Sequence, residues 1–539
     1  MTDCLLIGFN DSNFESYVKI VSSMGTDSGA YRDLNLSFIE FNNRPYRALD
    51  MLTYLYPENR DKVNKPFHNQ NFLSPTILYL GSYLSKRGFT FDYINLFQLE
   101  KEKLKDKLIN DPILTIAITT TFYVSINPIL EIISFIKEYN NKAKIIIGGP
   151  FIDNQVTSMD RESVQGMFKY IDADFYVISP EGEFALSNIL QTLKENSNNF
   201  NNIDNIAYIM DDGYCFTERS IEANSLEENQ IDYNLFPQHE IGEFLSVRTA
   251  KSCPFACAYC GFPKRAGKYI YLSPERVEAE LNAIRDIGQI TTLTFLDDTF
   301  NVPRGRLKSI LKMIIKNGYH FKWNCYFRAD HSDDEMIELM KEAGCEGVFL
   351  GVESGSDLIL KKMNKKARRK DYLQAIPKFK EVGITTHANL LVGFPGETDD
   401  TVHETVELIE ETGPDFFRAQ LWYCDPVTPI WQKKEEYGIN GYAFNWSHNT
   451  MDYKTACDLI DEKFFFIKNS TWLPQSGFEF WSAFYLQRKG MTMDGIKGFV
   501  RTFNKIVEEQ LINPDKKDVE PHMLELLRQY CDFKNPHLP

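Results

Sequence analysis

The sequence lacks an excess of positive charge. Its 59 Lys and Arg face 75 Asp and Glu among 539 residues, which gives a net charge of −16. Proteins that bind nucleic acid mainly through its phosphates carry basic surfaces. The composition therefore argues against general nucleic-acid binding, and we expect no nucleic-acid partner.

Signs of export or membrane insertion are also missing. An acid already follows at Asp3, and the apolar run after it is too short for a signal peptide. Residues 112–130 carry no charge, but they include Thr, Ser, Asn and Pro, which favour a strand, a loop and a helix start over a membrane span. Ten cysteines without a secretory signal indicate reduced thiols. We predict a cytoplasmic protein without a membrane partner.

Three cysteines stand together at the spacing C-x3-C-x2-C, as Cys253, Cys257 and Cys260, shortly after an apolar run at 244–247. Three thiolates can bind three irons of a [4Fe–4S] cluster, which normally takes four cysteines. The fourth iron would then be open, as a catalytic metal site requires. The alternatives are a zinc site or a structural cluster. A zinc motif usually brings a second Cys or His pair at short spacing, and none follows Cys260.

This spacing, the preceding strand and the following strand–helix pattern resemble the radical S-adenosylmethionine (SAM) superfamily. The resemblance implies that SAM chelates the open iron and that Tyr259 lies against its adenine. It also assigns Asp298, Arg328 and Glu353, each at the end of a predicted strand, to SAM binding. Structural salt bridges are the alternative for these three residues.

Residues 243–439 are predicted to form a partial (β/α)6 barrel. Polar residues at the carboxyl ends of barrel strands build active sites. A turn at 393–397, Gly-Phe-Pro-Gly-Glu, resembles one found beside the adenosine in the same superfamily, and a structural role fits it equally well. A basic run at 361–370 is expected to be mainly a solvated helix face.

Residues 1–200 alternate strands with helices, which predicts a Rossmann-like, doubly wound parallel sheet. Between the first strand and Ser74 the pattern is irregular. Ligands bind such sheets at the carboxyl ends of the strands. The residues found at those predicted ends are Gly8, Thr119, Thr120, Thr121, Gly148 and Gly149.

This region resembles the cobalamin-binding domain that precedes the radical SAM domain in many methyltransferases, which implies that those six residues contact cobalamin. Such domains often carry Asp-x-His-x-x-Gly after the first strand, but here residues 10–14 read Asn-Asp-Ser-Asn-Phe. We therefore expect no histidine ligand to cobalt from this loop. His68 could approach cobalt, although a surface role is expected. The alternatives are a domain without a cofactor or one that binds a nucleotide; no G-x-G-x-x-G supports the latter.

Two further regions complete the predicted layout. Residues 201–242 are expected to be a linker with a small hairpin around 211–213, and residues 440–539 a mainly helical C-terminal domain. Trp446 and His448, expected at a helix start, are the substrate-side candidates. The domain order and the stretches 423–426 and 445–452 resemble the subgroup related to phosphinate P-methyltransferases.

The combined resemblance implies a cobalamin-dependent radical SAM methyltransferase. A 5′-deoxyadenosyl radical would abstract hydrogen from an unactivated C–H or a P–H bond, and methylcobalamin would deliver the methyl group to a small-molecule or peptide substrate. A flavodoxin- or ferredoxin-type reductant is implied as a partner. The alternatives are a related enzyme that rearranges or cyclises its substrate without methylation, and a non-catalytic cobalamin or iron–sulfur sensor.

Overall fold

The protein has an α/β fold with two parallel-sheet domains, as predicted. The computed structural model describes residues 1–11, 13–57, 67–68, 72–211, 213–222 and 224–533.

The first sheet is doubly wound and has seven strands. Its second strand in sheet order, Thr2–Phe9, is buried at all six inner positions, because helices cover both faces of a parallel sheet. In sheet order the strands are Phe91–Leu96, Thr2–Phe9, Ile113–Thr119, Lys144–Gly148, Phe175–Val177, Ile206–Met210 and Gly213–Phe216. The helices of this domain are Pro75–Lys86, Lys101–Asn110, Asn127–Tyr139, Pro150–Ser158, Arg161–Ile171 and Glu183–Lys194.

The last two strands of this sheet correct the predicted domain boundary. Ile206–Met210 and Gly213–Phe216 form the expected hairpin, although Asp212 at its tip lies outside the described residues. The hairpin belongs to the sheet, because Ile206–Met210 pairs antiparallel with Phe175–Val177. The first domain therefore extends past residue 200, to at least residue 216.

The second sheet contains the six predicted strands and a seventh. In sheet order they are Phe244–Val247, Thr292–Phe295, Lys322–Phe327, Cys345–Glu353, Thr385–Val392, Phe416–Leu421 and Thr471–Trp472. All pair in parallel. The seventh strand comes from the C-terminal region, which was predicted to be mainly helical. The helices of this domain are Phe262–Ala266, Pro274–Ile287, Arg304–Asn317, Asp334–Glu342, Asp357–Lys362, Arg369–Glu381 and Asp399–Thr412.

The stretch after the first strand is not irregular, as the sequence suggested. It holds the helices Phe14–Ser22, Gly29–Asn35 and Ala48–Leu55 and a hairpin of Phe38–Phe41 with Arg44–Arg47. Its apolar side chains pack against the C-terminal helices, in one cluster that includes residues from 39–56 and from 480–531. The partner of this insertion is therefore more than 400 residues away in the chain.

The C-terminal region is partly sheet. Three short strands, Asn440–Tyr442, Asn445–His448 and Met451–Asp452, pair antiparallel. The helices are Lys434–Tyr437, Tyr453–Leu459, Phe480–Arg488, Met493–Ile512 and Pro521–Cys531, with a π-helical turn at Ile460–Phe464. A Cβ at Gly347 would collide with the rings of Phe480 and Phe484, so Phe480–Arg488 packs directly on the inner face of the second sheet. No helix among the described residues is long and apolar enough to cross a membrane.

Candidate functional site

The three cysteines lie on one loop at the edge of the second sheet. The loop begins after the short strand Ala250–Lys251 and ends at the helix Phe262–Ala266. Cys257 is buried, whereas Cys253 and Cys260 are partly exposed. All three are free thiols.

Hydrogen bonds to distant segments hold this loop in place. Ala258 N–H donates to Met363 O at 2.7 Å, and Ile430 N–H donates to Ala258 O at 2.9 Å. Asn364 Nδ2 donates to Ala256 O at 2.6 Å. These hydrogen bonds tie the cysteine loop to two distant segments of the domain.

Two predicted SAM residues, Asp298 and Arg328, lie close enough to Cys253 for their charges to affect its pKa. Burial raises the pKa of Cys253; the charges of Asp298 and Cys257 raise it further, and Arg328 lowers it. Burial also raises the pKa of Cys260 to about 11, and the other two cysteines add to this effect. Because the thiolate is the metal ligand, cluster binding must displace these protons.

The residues present fit a cluster better than a single ion. No three His, Cys, Asp or Glu side chains in the described ranges converge on a point where one metal ion could sit. In a [4Fe–4S] cluster each thiolate binds a different iron, so that convergence is not needed. Three free cysteines on one fixed loop supply the required donors.

Asp298 stands at the end of the strand Thr292–Phe295, as predicted. Its side chain is reached by solvent, yet the surrounding protein raises its pKa to about 7, and the neighbouring Asp297 adds to the shift. Asp298 is thus open to solvent, and its charge also acts on the Cys253 thiol. A ligand ammonium placed beside it would favour the carboxylate form.

Asp297, which the sequence reading did not single out, has a structural role. Its carboxylate accepts hydrogen bonds from the backbone N–H groups of Thr249 and Ala250, at 2.6 and 2.8 Å, and from the Thr249 hydroxyl. It thereby fixes the segment that leads into the cysteine loop. The sequence shows two adjacent acids, Asp297 and Asp298, at a strand end. It does not show which of the two points inward and takes the structural role.

Arg328 is engaged by its neighbours. Its Nε and Nη2 donate to the two carboxylate oxygens of Asp330 at 3.0 and 2.9 Å. Its guanidinium carbon lies 3.7 Å from the ring centroid of Phe255, on the cysteine loop. Arg328 therefore forms a structural salt bridge, which was the alternative to SAM binding. Its contact with the Phe255 ring also supports the cysteine loop.

Glu353 ends its strand with a left-handed φ of 65° and is buried. Its Oε1 accepts hydrogen bonds from Tyr259 Oη and from Lys365 Nζ, both at 3.0 Å. Lys365 is itself only 8% exposed, so the basic run at 361–370 is not simply a solvated face. This part of the expectation is corrected: the run supplies a buried charge beneath the cysteine loop.

A cavity of about 350 Å³ lies between the two sheets, where strand carboxyl ends of both domains face it. Its walls combine residues after the strands of the first sheet with residues next to the cysteine loop. They include Thr119, Thr121, Gly148 and Gly149 from the first domain, and Arg248, Phe262 and Leu296 from the second.

Four of the six predicted cobalamin residues line this cavity, and two do not. Gly8 and Thr120 are not among its described lining residues. At Gly8 a Cβ would lie 2.6 Å from Asn95 O, so the glycine is explained by strand packing. The hydroxyl of Thr120 donates to Gly148 O at 2.9 Å, which fixes the glycine pair.

Gly149 has a φ of 112°, a backbone conformation that favours glycine, and it is the N-cap residue of the helix Pro150–Ser158.

Glu183 also lines the cavity. Burial raises its pKa to about 7; Glu181 raises it further and Arg248 lowers it. The cavity thus has an apolar interior with few titratable groups at its rim.

The loop after the first strand holds an ion pair. Arg47 donates to both carboxylate oxygens of Asp11, at 3.0 and 2.9 Å, and His68 Nε2 lies 3.2 Å from Asp11 Oδ2. His68 is thus bound to a carboxylate and is not among the described residues that line the cavity. Ser12, in the same loop, lies outside the described residues.

Trp446 and His448 do not stand at a helix start; they lie on the strand Asn445–His448. Their rings stack with centroids 5.2 Å apart. The Trp446 indole donates to Trp422 O at 2.8 Å, and His448 Nε2 lies 3.0 Å from Gly393 O. Both therefore support the turn at 393–397, and their substrate-side role stays a prediction.

The chain is similar in sequence to known proteins. It is 27% identical over 327 residues to an uncharacterized methyltransferase of Pyrococcus horikoshii, covering 59% of this chain and 68% of that protein. It is 25% identical to the anaerobic magnesium-protoporphyrin IX monomethyl ester cyclase of Cereibacter sphaeroides, covering 66% of this chain and 59% of the cyclase.

Among solved structures, the fold is similar to that of TsrM from Kitasatospora setae, a radical SAM methyltransferase with cobalamin and a [4Fe–4S] cluster bound. The TM-score is 0.55 at 18% identity, and the match covers 68% of this chain and 72% of TsrM. Residues 247–409, which contain the three cysteines, match the radical SAM superfamily. This segment of the chain is a radical SAM domain.

Proposed function

We propose that the protein is a cobalamin-dependent radical SAM methyltransferase. The observation that carries the proposal is the cavity between the two domains, because Thr119, Gly148 and Gly149 line it together with Arg248 and Leu296. A cofactor bound there would lie between the Rossmann-like sheet and the cysteine loop. The family match and the cobalamin bound to TsrM support the same assignment.

Cys253, Cys257 and Cys260 would hold the [4Fe–4S] cluster, and SAM would complete it. When bound, the cluster and SAM together would supply a 5′-deoxyadenosyl radical, and methylcobalamin would supply a methyl group. The protein's own contribution is position and exclusion of water. The hydrogen bonds that fix the cysteine loop position the cluster ligands, and the apolar cavity walls exclude water.

The SAM-binding residues remain part of the proposal. Asp298 suits the ammonium group of SAM, because it is a solvent-accessible acidic side chain near the cysteines. Tyr259, held by Glu353, presents its ring beside Cys260. Arg328 and Glu353 already have charged partners, so we propose that they support the site by fixing the loop.

Cobalamin binding is tested at the rim of the cavity. Thr121 is exposed and lines it, so Thr121→Trp should obstruct the entrance without disturbing the core. Val124, 81% exposed on the same loop, does not line the cavity and provides the matched control Val124→Trp. We expect the wild type and the control to retain cobalamin through gel filtration, measured by its absorbance, and Thr121→Trp to lose it. Equal retention by all three would reject the site.

The second candidate is a cobalamin-dependent radical SAM enzyme that cyclises or rearranges its substrate. The similarity to the protoporphyrin ester cyclase favours it. Methyl transfer consumes a second SAM and yields S-adenosylhomocysteine, whereas cyclisation yields only 5′-deoxyadenosine. Quantifying both products by mass spectrometry during turnover separates the two functions. The phosphinate P-methyltransferase-like subgroup and a flavodoxin- or ferredoxin-type reductant stay predictions.

A further inference from the structure

A second cavity lies beside the interdomain one. It measures about 110 Å³ and is more enclosed. The first domain, the second sheet and the helix Phe480–Arg488 all contribute to it. Its aromatic lining consists of Phe72, Phe122, Phe244, Tyr326, Trp481 and Tyr485.

The two cavities share part of their walls. Pro75, Phe122 and Leu296 line both. Phe122 is 51% exposed although it is a large apolar side chain, and it stands between them. A molecule in the small cavity would therefore lie next to whatever occupies the larger one.

One polar group in this apolar space has no partner. The Thr292 side chain lines the small cavity and is 2% exposed, and its Oγ1 has no hydrogen-bond partner among the described residues. A buried hydroxyl without a partner costs free energy, so such groups in proteins are usually satisfied. A ligand oxygen at this position would satisfy it.

The size of the cavity limits what can enter. An apolar cavity of about 150 Å³ holds one benzene molecule. At about 110 Å³ the small cavity is smaller still, so it takes no more than one ring, and that ring must extend to the shared wall at Phe122. Aromatic side chains favour offset or edge-to-face contact with such a ring.

We propose that the small cavity binds the substrate of this enzyme through a single aromatic ring whose oxygen substituent hydrogen-bonds to Thr292. This assignment rests on the proposed function, since it identifies the small cavity as the substrate site beside the cofactor cavity. The reacting carbon would then lie near Phe122, at the boundary between the two cavities.

The test uses p-cresol and toluene as probes, because they match in size and only p-cresol carries a hydroxyl. Binding to the full chain, prepared without cofactors, is measured by calorimetry. We expect one p-cresol per chain and roughly fivefold weaker binding of toluene. Thr292→Val should weaken p-cresol binding by the same factor and leave toluene binding unchanged. Ser246→Leu, which fills the cavity from its wall, should abolish the binding of both.

Ser482→Ala is the matched control, because its hydroxyl is also buried, has no hydrogen-bond partner in the described part of the chain and does not line the cavity. It should bind both probes as the wild type does. Absence of p-cresol binding, wild-type binding by Ser246→Leu, an unchanged affinity in Thr292→Val, or displacement of p-cresol by hydroxocobalamin would each overturn the proposal. Because the probes are measured without cofactors, failure of the wild type to cleave SAM would reject the proposed function separately.

Discussion

The hydroxyl of Tyr259 donates a hydrogen bond to Oε1 of Glu353 at 3.0 Å, and this bond joins the cysteine loop to the end of a barrel strand. Lys365 Nζ contacts the same oxygen and also lies 3.2 Å from Tyr259 Oη. All three groups are largely withdrawn from solvent, so each depends on the others for its hydrogen bonds.

This triad predicts unequal costs of substitution. Tyr259→Phe removes the hydrogen bond to Glu353 and the one accepted from Lys365, and should lower the free energy of unfolding by about 1–2 kcal/mol. Glu353→Gln leaves the Lys365 ammonium buried without a counter-charge and should cost about 3 kcal/mol or more. Urea unfolding of the cofactor-free chain measures both. The double variant Glu353→Gln/Lys365→Met should recover part of the loss; equal destabilisation by the two single variants would contradict the triad.

A substitution at Trp446 distinguishes a packing role of this residue from a substrate-binding role. Its indole is 2% exposed and lies against Gly393, where an added Cβ would collide with it. Trp446→Ala should therefore cost about 3–5 kcal/mol of stability. Tyr442→Ala, at a residue 69% exposed on the neighbouring strand, should leave the melting temperature unchanged. If Trp446→Ala melted like the wild type and lost only product formation, the substrate-side prediction would hold instead.

Glu397 predicts a pH dependence of stability. Burial raises its pKa from 4.5 to about 8, although it accepts a hydrogen bond from Gly393 N–H. The folded state therefore binds a proton that the unfolded state releases, so this contribution to stability is full below pH 4.5 and is lost as the pH rises toward 8. Each unit of the shift is worth about 1.4 kcal/mol.

Glu397→Gln should remove this dependence. Its urea midpoint relative to the wild type should rise between pH 5 and pH 8. Glu435→Gln, at a side chain 92% exposed, is the control and should follow the wild type. A constant difference between Glu397→Gln and the wild type across this range would show that Glu397 is ionised in the folded protein.

The strands were predictable because each is a short apolar run between turn residues. The helix Pro75–Lys86, for example, starts with a proline in its first turn, where a missing N–H costs nothing. The cysteine spacing also carries its chemistry locally. These features depend on residues close together in the chain.

The features that the sequence did not give depend on distant partners. The insertion after the first strand acquires its structure by packing on helices near residues 480–531, and no local pattern reveals that partner. Likewise, Trp446 follows Asn445 in a strand because residues 440–442 and 451–452 pair with it. Which of Asp297 and Asp298 points inward is set by the strand's register and by the N–H groups of residues 249 and 250.

The most direct measurement is the formation of 5′-deoxyadenosine by the anaerobically reconstituted full chain with SAM and dithionite. Cys257→Ala leaves two thiolates, which should not hold the cluster in its catalytic form. Cys215→Ala, outside the cysteine loop, is the matched control. We predict 5′-deoxyadenosine from the wild type and from Cys215→Ala and none from Cys257→Ala; formation at the wild-type rate by Cys257→Ala would contradict the cluster assignment.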